Sequence, residues 1–183
     1  MFLLSDALVR RYMDRRGLGI DPLEPKNLAQ TCYYFRVGRI ADVLTDDQGP
    51  VDVRKHGLIL PPGTMARVES LEAFRLPENV LGLLGSQTNL PIERRLQLIH
   101  GPSIDPGYNG QIEFVVMNIG QKPVQIDYGA KIGKVMFFDV AETSIEDVSL
   151  YETAYLRQER LRARRKAIYG TDDDNPDVEY MDK

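Results

Sequence analysis

Between Gln30 and Asp139 the sequence is a succession of short apolar runs cut by turn-forming residues, and this punctuation favours β structure over a helical bundle. The runs "TCYYFRVG", "HGLILPPGTMARVESLEAFRLP", "VLGLLG", "LQLIHG", "QIEFVVMN", "PVQID" and "KIGKVMFFDV" read as strands of about 4–8 residues, rich in β-branched and aromatic side chains. Pro-Gly, Pro-Glu, Asn-Gly, Gly-Gln and Tyr-Gly separate them, and the chain holds 15 Gly and 11 Pro to make such turns. Regularly spaced short strands predict a sandwich, jelly roll or barrel.

The flanks have a different period. Ser5 is a suitable N-cap, Leu8, Val9, Tyr12 and Met13 recur at helical spacing, and Gly17 closes the segment. Residues 147–168 carry Val148, Leu150, Tyr151, Ala154, Tyr155, Leu156 and Leu161 among strong helix formers, which predicts a second helix. Its later half gathers Arg157, Arg160, Arg162, Arg164, Arg165 and Lys166. These cations either complement the helix dipole in solvent or reach a phosphate or a neighbouring subunit. The acidic stretch "TDDDNPDVEYMDK" follows. The expected organisation is a β domain with an N-terminal helix over 1–140, extended by the helix and acidic tail of 141–183.

Several function classes are disfavoured by composition. A formal charge of −4 supplies no basic field for nucleic acid. One cysteine, Cys32, allows no internal disulfide and reads as a small core residue. With His56 and His100 as the only histidines, a zinc site of the Cys/His kind is also disfavoured. No apolar stretch approaches ~18 residues, and the opening "MFLLSDALVRRYMDRRG" lacks the layout of a signal peptide, so a cytoplasmic location is expected.

Five collinear stretches resemble the dCTP deaminase/dUTPase superfamily. They are "LLSDALVRRYMDRRGLGIDP", "TCYYFRVG", "LILPPGTMARVESLEAFRLPENVLGLLGS", "SIDPGYNGQIEFVVMN" and "YGAKIGKVMFF", which together cover about residues 2–140. The resemblance implies a mainly β, distorted jelly-roll barrel with flanking helices. It also implies a homotrimer with active sites between subunits, and a deoxynucleoside triphosphate bound with Mg²⁺ held through the phosphates.

Two branches of the superfamily make different demands on "SIDPGYNGQIEFVVMN". Deaminases carry a proton-shuttling glutamate three residues before the asparagine, and here that position is Val115. Glu113 lies on the same strand face, but taking over the role requires a shift of about 7 Å at about 3.4 Å per residue. Glu113 is therefore either a displaced catalytic acid/base or a strand glutamate that faces solvent or a cation. The dUTPase branch has Ile-Asp-x-x-Tyr-x-Gly, which "IDPGYNG" fits. There the resemblance gives Asp105 the sugar hydroxyl and the attacking water, and Tyr108 the underside of the sugar. The local alternative is a β-turn whose side chain caps its own backbone.

The remaining positions follow from the same resemblance. Ser86 and one of Arg94 or Arg95 stand where phosphates are gripped. Lys134 replaces a glutamine and can meet a phosphate as a point charge. Tyr34 stands at an early aspartate. His100 and Gly101 occupy the stretch that lines the base pocket, though a satisfied buried imidazole fits His100 equally well. The leading expectation is a hydrolytic, dCTP deaminase-like enzyme. The alternatives are a diphosphohydrolase using Asp105 and a nucleotide-binding protein without catalysis.

Overall fold

The computed structural model describes residues 1–44 and 49–140; the helix expected over 147–168 and the acidic tail lie outside them. The chain runs β1 (Phe2–Leu3), α1 (Asp6–Arg15), β2 (Gly19–Asp21), β3 (Leu28–Ala29), β4 (Cys32–Val43), β5 (Pro50–Asp52), α2 (Val53–His56), β6 (Leu58–Leu60) and β7 (Met65–Arg75). It continues with β8 (Val80–Ser86), α3 (Asn89–Glu93), β9 (Leu96–Ile99), β10 (Ser103–Ile104), β11 (Asn109–Asn118), β12 (Val124–Ile126) and β13 (Lys131–Asp139). The mainly β expectation holds. The short helices α2 and α3 interrupt segments that the apolar pattern assigned to strands and turns.

One curled sheet has the order β10-β8-β13-β4-β7-β11-β9, and β12 pairs with β6 in a separate ribbon. The curl is made in β4. Its first half pairs with β13, Tyr33 opposite Val135 and Arg36 opposite Lys131. Its second half pairs with β7, from Val37 opposite Ser70 to Val43 opposite Ala66, with a register shift between. At the change of partner sits Gly38, where a Cβ would lie 2.6 Å from the Ser70 carbonyl oxygen. Only glycine lets the two backbones approach this closely.

Inside the curl, Tyr33, Phe35, Phe74 and Phe137 are fully buried. Tyr33 meets Phe74 edge-on with centroids 6.2 Å apart, and Phe35 meets Phe114 at 5.5 Å. The Phe35 ring lies over Gly133, where a Cβ would be 2.2 Å from its Cζ. Each such side chain contributes about 1.5–3 kcal/mol of burial. Cys32 is buried too, but on the Tyr34 side of β4 and outside the aromatic core cluster, so its reading as a core residue holds for burial alone.

Helix α1 begins where the cap signal placed it, with Ser5 Oγ accepting from Leu8 N at 3.4 Å. Its buried face presents Val9 and Tyr12 to the sheet. The Tyr12 hydroxyl donates to Asp139 at the end of β13, and Asn79 Nδ2 donates to the same carboxylate at 3.0 Å. Burial and then the bond to Asp139 hold the Tyr12 phenol above its ordinary value, so it remains a donor.

Candidate functional site

The antiparallel register of β8, β13 and β4 sets Gly85, Lys134 and Tyr34 side by side. Beyond β8 the chain turns through Gln87 and Thr88 into α3. Together Tyr34, Gln87, Thr88, Asn89, Lys131 and Lys134 line an open cleft of about 370 Å³. Lys131 and Lys134 are three residues apart, a spacing that puts side chains on opposite faces of a regular strand. The register of β13 shifts between Lys131 and Gly133, and this irregularity lets both ammonium groups serve one cleft.

Details of the packing hold these groups in place. Gly85 leaves a flat surface for the stem of Lys134, whose Cε would be 3.1 Å from a Cβ there. Lys131 Nζ stands 5.7 Å from the centroid of the Tyr34 ring, within cation–π range. The neighbouring Cys32 thiol, and then burial, push the Tyr34 phenol up, so it faces the cleft as a neutral hydroxyl. Ser86 is in register with Gly133 and Phe35, and strand alternation puts it on the face opposite Gly85, Lys134 and Tyr34, a correction to its expected place among the phosphate ligands. The cleft therefore combines two cations with neutral hydroxyl and amide groups, a donor set suited to an anion with several oxygens.

The Pro-Gly corner lies toward the other end of β8. Tyr108 N donates to the Asp105 carbonyl at 3.2 Å, and Gly107 has φ 76°. With Pro106 second and Gly107 third, this is a type II turn. The Asp105 carboxylate is exposed and accepts from Ser103 Oγ at 3.3 Å. It does not close the turn, because the main chain does that. Tyr108 is buried, with its hydroxyl donating to the Gln111 carbonyl at 2.5 Å, so its ring anchors the corner to the core. Ile104 is opposite Gly82 and Lys134 is opposite Gly85. From the level of Asp105 to that of Lys134 is four residues of strand, about 14 Å at ~3.4 Å per residue.

A third group lies on the outward face of β11. Val115 is flanked in register by Arg67 of β7 and Ile99 of β9. Glu113 has Glu69 as its cross-strand neighbour. Its carboxylate is 3.8 Å from Arg67 Nε, and Arg67 Nη2 is 2.6 Å from Asp42 Oδ2. Glu113 is thus held beside a guanidinium that already carries Asp42. His100 follows β9, half-exposed, with Nδ1 2.6 Å from the Gly101 carbonyl. It is not the buried imidazole that one reading expected.

Arg94 and Arg95 are turned away from the cleft. Arg94 Nη2 is 3.4 Å from the Gln125 carbonyl on β12. Arg95, with φ 56°, accepts at its carbonyl from Ile119 N, and its Cβ packs where Gly120 leaves room. The structure thus brings together Lys134 and Tyr34 and adds Lys131 and Gln87–Asn89 to them, while Ser86 falls outside the cleft lining. It sets Asp105 with Tyr108 on a separate corner and Glu113 on a third surface, with His100 just past the end of β9.

These three surfaces lie within a matched family domain: residues 3–140 match the model of the dCTP deaminase-like family. The chain belongs to the dCTP deaminase-like family. One relative is the dUMP-forming dCTP deaminase of Methanospirillum hungatei, 25% identical over 181 residues, covering 89% of this chain and 95% of the relative. A deoxyuridine 5′-triphosphate nucleotidohydrolase of Cutibacterium acnes is 31% identical over 96 residues, covering 51% of this chain and 63% of the relative. The solved 2′-deoxycytidine 5′-triphosphate deaminase of Agrobacterium tumefaciens superposes with a TM-score of 0.63 at 15% identity, covering 74% of this chain. This likeness is one of fold, and the present chain spans 48% of that solved chain.

The Mg²⁺ expected with the substrate is held through its phosphates, and the cleft adds no carboxylate ligand of its own. Mg²⁺ is held through carboxylates and phosphates in near-octahedral oxygen geometry. None of the six lining residues is a carboxylate, and two are ammonium ions. Among the described residues no group of three or more His, Cys, Asp or Glu is placed to hold a metal.

Proposed function

We propose that this chain is a deoxynucleoside triphosphate hydrolase that cuts the phosphate chain, with Asp105 aligning the attacking water. The observation that carries this reading is a contrast on one stretch of sequence. The Asp105 carboxylate stands exposed on a rigid turn, whereas the position of the deaminase glutamate is a valine set between Arg67 and Ile99. A carboxylate accepts from water and from a sugar hydroxyl together, and valine moves no proton. In the step envisaged, water attacks a phosphorus, Asp105 takes its proton, and the P–O bond to the departing pyrophosphate breaks. Lys131 and Lys134 offset the charge of the phosphate chain, with Thr88 as a hydroxyl donor.

A 5′-phosphate hangs directly on the sugar, so the corner and the cleft of one chain do not serve the first phosphate together. We read the working form as a homotrimer in which the corner of one copy faces the cleft of the next. Deamination through Glu113 is the second reading, favoured by its place on the same face as Val115; its pairing with Arg67 counts against it.

The test is product analysis with dCTP, dUTP and dTTP. Pyrophosphate and a monophosphate with no ammonia are expected. Ammonia release from dCTP establishes the deaminase instead, and binding without turnover leaves a nucleotide-binding protein.

A further inference from the structure

We infer that the outward face of α1, together with β1, is a docking surface for residues 145–156 of the same chain. α1 buries Val9 and Tyr12 and leaves Arg10, Arg11 and Arg15 in solvent. Among the described residues none of these three arginines is in an ion pair. Arg16 adds a cation whose side chain is 58% exposed, 3.9 Å from Asp139. Next to them β1 leaves Phe2 49% and Leu3 36% exposed. The apolar and cationic parts are contiguous, because Phe2 is paired with Asp139 and the same carboxylate accepts from the Tyr12 hydroxyl. Exposed apolar side chains rimmed by charge mark an interaction site.

The occupant follows from where the described chain stops and from charge. β13 ends at Asp139 beside β1, and Val140 N donates to the Asn79 carbonyl. Residue 145 is five positions further on, at most about 17 Å of extended chain. That reach matches the length of the ten-residue α1, about 15 Å. Residues 145–156 read "IEDVSLYETAYL". Ile145, Val148, Tyr151 and Tyr155 recur at helical spacing, and Glu146, Asp147 and Glu152 are the only charged residues of the stretch. Its apolar groups suit Phe2 and Leu3, and its carboxylates suit the arginines of α1. The basic run of 157–166 is repelled by those arginines. The acidic stretch of 171–183 has the charge, but 145–156 combines charge with apolar spacing and stands next in the chain.

Hydrogen exchange of the full chain, resolved by fragment, is the test. Amides of 145–156 are expected to exchange about a hundredfold more slowly than in the isolated peptide of that sequence. Arg10→Glu, Arg11→Glu and Arg15→Glu together cut this protection at least about tenfold, while β4 and β7 stay protected. Adding Glu146→Lys, Asp147→Lys and Glu152→Lys to that variant restores it. Phe2→Ser, which keeps the arginines, lowers protection of the same stretch. An unprotected stretch in the parent overturns the inference, and so does protection that ignores both the arginine reversal and Phe2→Ser. Failure of the lysine changes to restore protection refutes the charge pairing on which the docking rests. Protection that is lost on dilution assigns the occupant to a neighbouring copy and overturns docking within the chain.

Discussion

Asp105→Asn lowers phosphate-chain hydrolysis by about 10²–10⁴-fold, the range that a positioned acid or base contributes. Asparagine keeps the shape of the side chain and can still accept from Ser103 Oγ, which lies 3.3 Å from the carboxylate. The turn stays closed because its hydrogen bond runs between backbone atoms, from Tyr108 N to the Asp105 carbonyl at 3.2 Å. Only the charge that draws a proton from water is removed. Steady-state release of pyrophosphate, with an unfolding curve that matches the parent, is the measurement. Undiminished turnover in the variant removes Asp105 from the chemistry.

Arg36→Ala destabilises the fold by about 3–5 kcal/mol at neutral pH, because it leaves a buried carboxylate without its cation. Glu72 is fully buried on β7. It accepts from Arg36 Nε at 2.6 Å, from Arg36 N at 2.8 Å and from the Tyr33 hydroxyl at 3.1 Å. Burial pushes the Glu72 carboxyl above its ordinary value of 4.5, while the Arg36 backbone and guanidinium pull it back. A folded-state value above the unfolded one means that the favourable contribution is fully present below 4.5 and is lost as pH rises through the folded value. Without the guanidinium, that folded value climbs further. The deficit of the variant therefore shrinks on acidification, as Glu72 takes up a proton and no longer needs a counter-charge. Urea unfolding of both proteins at pH 7 and near pH 4.5 checks this. Equal deficits at the two pH values contradict it.

The strands were legible because alternation and turn chemistry are local. The Pro-Gly corner is the clearest case, since proline and glycine at the two middle positions define a type II turn with no reference to the rest of the fold. The change of partner along β4 was not legible. It depends on how near Gly38 comes to the Ser70 carbonyl, a contact between residues 32 positions apart.

The cleft was half legible. Lys134 and Tyr34 were marked by resemblance, Ser86 was marked and falls outside the lining, and the polar run from Gln87 to Asn89 was the available signal for the rest. Lys131 was missed because its spacing from Lys134 puts the two on opposite faces until a register shift, invisible in sequence, brings them together. The fate of Glu113 likewise follows from its pairing register with β7, which also shifts, between Gln111 and Glu113. Arg94 and Arg95 were marked by type and neighbourhood alone. The end of α3 turns them toward β12 and the loop after β11.

The central claim is that the phosphate cleft of one chain and the carboxylate corner of another make one site. Mixing two inactive chains tests it most directly. One carries Asp105→Asn, and the other carries Lys131→Ala with Lys134→Ala. After dissociation and reassembly of an equal mixture, a ring of head-to-tail contacts regains hydrolysis at about a quarter of its sites, those pairing an intact cleft with an intact corner. If the reassembled mixture is as inactive as its two components, the shared site is refuted.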